Sequence, residues 1–85
     1  MGFDSYLCIG IDAIITGKRI EKLRIQGGYT VEQFAEMLGV SPNAYYKWVR
    51  GENLPALDTL VVIKRCCGIP LDDIVATLEN EEKDF

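Results

Sequence analysis

The segment TVEQFAEMLGVSPNAYYKWVRG, residues 30–51, constrains the fold more than any other part of this 85-residue chain. It contains two helix starts with a single glycine between them. Thr30 followed by Gln33 is a capping box, in which hydroxyl and amide each satisfy a free backbone N–H. Val31, Phe34, Ala35 and Leu38 then fall at i, i+3, i+4 and i+7, one apolar stripe of a helix. Gly39 can take the left-handed backbone that stops it. Ser41 caps the next helix, and Pro42 takes its first position, where a missing N–H costs nothing. Tyr29 with Phe34, and Val40 with Tyr45, stand where hydrophobic staples form. Tyr45, Trp48 and Val49 give the second helix its apolar face, and Gly51 ends it. Two helices joined by so short a turn make a helix-turn-helix.

The crossing of such helices has its own demands. Close approach needs a small residue, here Ala35, and the turn needs positive φ, here Gly39. Phe34, Leu38, Val40, Tyr45 and Trp48 stand where apolar residues must seal the corner. Tyr45 is larger than the β-branched residue expected at its place.

Around this pair the chain reads as further short helices. Thr16 can cap a helix over about Gly17–Gln26, with Ile20 and Leu23 inward and QGG as its stop. Lys18, Arg19, Lys22 and Arg24 read as its solvated side. A fourth helix is expected from about Ala56 to Cys67, closed by Gly68. A fifth follows Pro70, from Leu71 to about Leu78, with Leu71, Ile74, Val75 and Leu78 apolar. Those four must partly cover the core and can partly form a dimer seam. The expected fold is all-α, a compact five-helix domain. Residues 16–78 form the domain. Residues 1–15 read as an arm that is extended and pairs with the C-terminal segment, and 79–85 as an acidic tail.

Composition sets limits on function. With 48% apolar and 26% charged residues the chain folds rather than staying disordered. A domain this small buries only about 60% of its unfolded surface, so its stability margin is thin. Net charge is −4 at pH 7, which counts against an indiscriminate polyanion binder. Charge is uneven, however. Residues 17–52 hold six basic side chains against four acidic ones, whereas the tail, 79–85, holds one basic against four acidic. There is no His, and the three Cys (Cys8, Cys66 and Cys67) lack metal-ligand spacing, so no metal or cofactor is expected. Nothing reads as a nucleophile–base pair or a Gly-rich phosphate loop, so no enzyme is expected. The longest apolar run, Leu60–Ile63, is far short of the roughly 20 residues of a membrane span. The expected location is the cytoplasm, with reduced thiols.

The stretches GKRIEKLR, TVEQFAEMLGVS, KWVRGENLP and LDDI follow one another in an order that resembles the Cro/XRE, phage-repressor type of helix-turn-helix domain. The likeness runs from Lys18 to about Val75. SPNAYYKWVRGENLP also resembles a subgroup of small regulators from Gram-positive bacteria. The resemblance implies a DNA-binding transcriptional regulator, often a homodimer. The chain departs from the family pattern at Val31, where Gln is frequent, at Val49, where Glu is frequent, and at Ala56, where Ser or Thr is frequent.

In such a motif the second helix of the pair, third in the chain, enters the major groove of double-stranded DNA. Its outward residues are Pro42, Asn43, Tyr46, Lys47 and Arg50. Asn43 suits the N6/N7 edge of adenine, and Lys47 suits guanine O6/N7 or a phosphate. Tyr46 offers a hydroxyl to phosphate or its ring to a thymine methyl. Ser41 and the helix start suit a phosphate, as does Arg50 near the loop. Thr30 caps the preceding helix, whose N-terminus can face phosphate. The alternative is a protein-interaction or antitoxin-like module on the same scaffold, with weak or no DNA binding. The acidic balance, Val31 and the N–H-less Pro42 motivate it.

Overall fold

Local chemistry decides where the central helices begin and end. The computed structural model describes residues 10–78, which form five helices in the order α1 (Ala13–Gly27), α2 (Val31–Leu38), α3 (Pro42–Val49), α4 (Leu57–Cys67) and α5 (Leu71–Ile74). At α2, Thr30 Oγ1 accepts from the Gln33 N–H at 3.0 Å and Gln33 Oε1 accepts from the Thr30 N–H at 2.9 Å, the reciprocal box expected there. Gly39 stops the helix at φ 75°, and the Val40 N–H turns back to the Ala35 carbonyl at 3.0 Å. Ser41 Oγ then accepts from the Ala44 N–H at 3.1 Å, with Pro42 in the first turn of α3. The same closure recurs past Gly51, where the Glu52 N–H returns to the Lys47 carbonyl at 2.9 Å.

Two expected boundaries are corrected. α1 begins at Ala13, not Gly17, because Asp12 is the cap: its carboxylate accepts from the Ile15 N–H at 2.9 Å. Thr16 is instead buried inside α1, and its Oγ1 accepts from the Ala76 N–H at 3.0 Å. α5 ends at Ile74 rather than near Leu78, since Val75 is already extended. The peptide groups beyond it are engaged elsewhere. The Asp12 N–H donates to the Ala76 carbonyl at 2.8 Å and the Leu78 N–H to the Gly10 carbonyl at 3.2 Å, making an antiparallel bridge between Ile11 and Thr77. Pairing of the first segment with the last is thus found for residues 10–12. The rest of the expected arm, residues 1–9, and the acidic tail, 79–85, lie outside the described residues.

The core gathers Ile20 from α1, Phe34, Ala35 and Leu38 from α2, Tyr45 and Trp48 from α3, Ile63 from α4 and Ile74 from α5. Tyr45 sits at its centre, edge-on to Phe34 (89° between rings, centroids 5.8 Å apart) and 5.7 Å from Trp48. Such edge contacts match the positive rim of one ring to the negative face of the next. Tyr29 stacks on Phe34 at 5.7 Å, the staple pair at the start of α2. Where α1 crosses α3 there is no room for any side chain on Gly17: a Cβ there would lie 1.9 Å from the Trp48 carbonyl oxygen. No described helix is long and apolar enough to cross a membrane.

Candidate nucleic-acid interface

With Tyr45 and Trp48 facing the core, the helical period turns Asn43, Tyr46, Lys47 and Arg50 to the opposite side of α3. Pro42, Asn43, Tyr46 and Arg50 are exposed, Tyr46 by 43%, and Lys47 is half-buried. This row presents an amide, a phenol, an ammonium and a guanidinium along about two turns of one face. Ser41 and Thr30 are exposed at the starts of α3 and α2. Each hydroxyl oxygen accepts a capping bond, which leaves its O–H as a donor for an incoming oxygen. All six residues expected from the sequence therefore lie on the surface, and five of them stand on or beside α3.

Arg50 does not stand alone. Its Nε donates to Glu52 Oε2 at 2.6 Å and its NH2 to Oε1 at 3.4 Å. The bond from Arg50, with the nearby charges of Arg50 and Lys47, holds the Glu52 carboxyl below the usual carboxylate range. Glu52 was not among the residues singled out from the sequence. Its position two residues past Arg50, across the glycine turn, was the available signal.

Beneath α3 lies a second charged group that sequence reasoning missed. Arg24 on α1 grips Glu21 through Nε (2.9 Å) and NH2 (2.7 Å), while NH1 donates to the Tyr29 carbonyl at 2.6 Å. The Tyr45 hydroxyl donates to Glu21 Oε1 at 2.6 Å. Arg24 is thus not on a solvated side of α1: only 16% of its side chain is exposed. Arg19, also expected to be wet, is half-buried and lies over the C-terminal end of α5, with NH1 3.4 Å from the Val75 carbonyl. The Arg24 bond draws the Glu21 carboxyl below its ordinary value. Burial, reinforced by the Glu21 bond, raises the Tyr45 phenol above its own. The spacing of Glu21 and Arg24, one helical turn apart, was visible in the sequence, but their shared partner 24 residues beyond Glu21 was not.

The geometry, two short helices meeting at Gly39 with α3 facing outward, is shared with known proteins. The chain matches the family described as Helix-turn-helix, HTH_3, over residues 20–74. It is 38% identical over 56 residues to the cryptic phage CTXphi transcriptional repressor RstR of Vibrio cholerae, covering 62% of this chain and 50% of that protein. It is 32% identical over 56 residues to the SPbeta prophage-derived uncharacterized HTH-type transcriptional regulator YonR of Bacillus subtilis, covering 66% of this chain and 52% of that protein. Among solved structures, the restriction-modification controller protein C.AhdI from Aeromonas hydrophila shares the fold, with a TM-score of 0.66 at 21% identity over 74% of this chain and 96% of that one. The chain spans between 18% and 56% of the length of the curated relatives it matches. On the family match and the helix geometry together, the chain belongs to the HTH_3 family of helix-turn-helix domains, the Cro/XRE type.

Proposed function

We propose that the chain is a sequence-specific DNA-binding transcriptional regulator that lays α3 in the major groove of double-stranded DNA and works as a homodimer in the cytoplasm. The observation that carries the reading is the outward row of exposed Asn43, Tyr46 and Arg50 with half-buried Lys47, on a helix whose opposite face is locked into the core. Asn43, in the first turn of α3, is placed for an adenine edge. Lys47 reaches guanine or phosphate one turn later, and Arg50 meets the backbone. Tyr46 contributes its hydroxyl or ring. The hydroxyls of Ser41 and Thr30, beside the free N–H groups of two helix starts, meet phosphate oxygens. Names of relatives such as RstR, a transcriptional repressor, support regulation of transcription.

One α3 covers one half-site, and a two-fold pair covers a palindrome. The exposed Leu78, with the half-buried Leu71 and Val75, offers apolar surface for the seam, while Ile74 is consumed by the core.

The test is selection of duplexes from a random pool, followed by fluorescence anisotropy across a salt series. Nanomolar-to-micromolar binding of an enriched, two-fold sequence, weakening steeply with salt, is the expected result. Absence of any enriched sequence, or binding indifferent to salt, rejects the reading. Light scattering of the free and DNA-bound protein reports the mass of the dimer.

A further inference from the structure

Lys47 and Arg50 are the only cations on or directly after α3, and Arg50 is paired with the Glu52 carboxylate. Glu52 is fixed to the helix through its main chain, with its N–H on the Lys47 carbonyl at 2.9 Å. Its side chain then folds back onto the Nε and NH2 edge of Arg50 at 2.6 and 3.4 Å. Lys47 acts on it through charge. Both members of the ion pair are half exposed, at 51% for each side chain, so the pair stands at the surface where DNA would arrive. The NH1 edge of the guanidinium still offers donors to a ligand.

We propose that Glu52 is a specificity-determining residue of the DNA interface, holding Arg50 in one orientation and withholding its charge from arbitrary phosphates. The proposal rests on the DNA-binding reading and deepens it. Binding to unrelated sequence comes almost wholly from neutralised phosphates. A carboxylate paired with Arg50 lowers that contribution at every sequence, because it occupies the guanidinium that would otherwise meet phosphate. At a matching site the same grip is an advantage. A guanidinium held on one edge presents the other in a set direction, and its planar fork then loses less freedom on binding. An exposed ion pair is weak and screened by salt, so Arg50 is oriented rather than locked away. The net charge of −4 fits a protein that avoids indiscriminate binding.

The experiment compares the full chain with Glu52→Gln, which keeps the shape and removes the charge. Binding is measured by anisotropy on an unrelated duplex and on a duplex selected from a random pool, each across salt. On the unrelated duplex E52Q should bind about three- to tenfold more tightly, with a salt slope steeper by about one. Affinity for the selected duplex should change less, so that the ratio between the two falls. In an Arg50→Ala background, Glu52→Gln should alter unrelated binding by no more than about twofold. Equal affinity and slope for the parent and E52Q on unrelated DNA overturns the proposal, while leaving DNA binding intact. So does an equally large effect in the Arg50→Ala background. If neither protein binds any duplex at low salt, the DNA-binding reading itself falls, and the role of Glu52 falls with it.

Discussion

The Tyr45 hydroxyl donates a 2.6 Å hydrogen bond to the Glu21 carboxylate, so the middle of α3 is tied to α1 by one charge-assisted bond beneath the outward row. Arg24 grips the same carboxylate and reaches on to the Tyr29 carbonyl at 2.6 Å. The orientation of α3 is therefore held by α1 and by the turn before α2, as well as by packing.

Replacing Tyr45 by Phe keeps the ring and deletes this bond. Glu21 retains Arg24, so the expected cost is about 1–2 kcal/mol of unfolding free energy. For a domain of this size that lowers the thermal midpoint by at least about 4 °C. Differential scanning calorimetry decides the matter, and an unchanged midpoint would remove the bond from the account of stability. Tyr45→Ala also empties the centre of the core and should cost about 3–5 kcal/mol.

The two groups also contribute to both ends of the pH profile. The folded Glu21 carboxyl lies below its ordinary value of about 4.3, so its contribution is present above that pH and lost as pH falls through the folded value. The folded Tyr45 phenol lies above its ordinary value of about 10, so its contribution is present below that pH and lost as pH rises. Urea titrations at several pH values should show stability declining below about pH 4 and again above about pH 10. Glu21→Gln should flatten the acid limb and Tyr45→Phe the alkaline one. Limbs unaltered by these substitutions would assign them to other groups.

Gly17→Ala should destabilise the domain although Ala is the better helix former by about 1 kcal/mol. The new Cβ would lie 1.9 Å from the Trp48 carbonyl oxygen, which is backbone and cannot rotate away. Separating α1 from α3 to make room should cost about 2–3 kcal/mol net. A denaturant midpoint equal to or above the parent's would show that the helices do not approach this closely.

Within the proposed interface, Asn43→Ala and Lys47→Ala should separate. Asn43→Ala should lose about 1–3 kcal/mol on the selected duplex, with its salt slope kept. Lys47→Ala should weaken all duplexes more evenly if it meets phosphate, and flatten the slope by about one. Parallel anisotropy series on selected and scrambled duplexes distinguish the two. Identical behaviour of both variants would mean that Asn43 does not read a base.

The paired helices were legible because their signals are local. Thr30 and Gln33, Gly39, and Ser41 with Pro42 each act within a few residues of themselves, and each forms the cap or stop expected of it. The start of α1 was not legible in this way. Asp12 and Thr16 are both good caps, and the structure uses Thr16 for the Ala76 N–H, 60 residues on. The same long-range pairing ends α5 early, against an apolar pattern that would have continued it. For the candidate site, the exposed face of α3 followed from helical period alone. Its charged neighbours did not, because the partners of Glu21 and Arg50 depend on how α1 crosses α3 and on the turn at Gly51.

The bridge between Ile11 and Thr77 gives the domain a mechanical character. The two segments run antiparallel, so tension applied at residues 10 and 78 pulls on the bridge from one end. Load falls first on the Leu78–Gly10 bond, then on Asp12–Ala76, and only then on the Thr16 hydroxyl. Such a ladder peels one rung at a time, at low force, and would detach the segment after α5 before strain reaches the corner at Gly39.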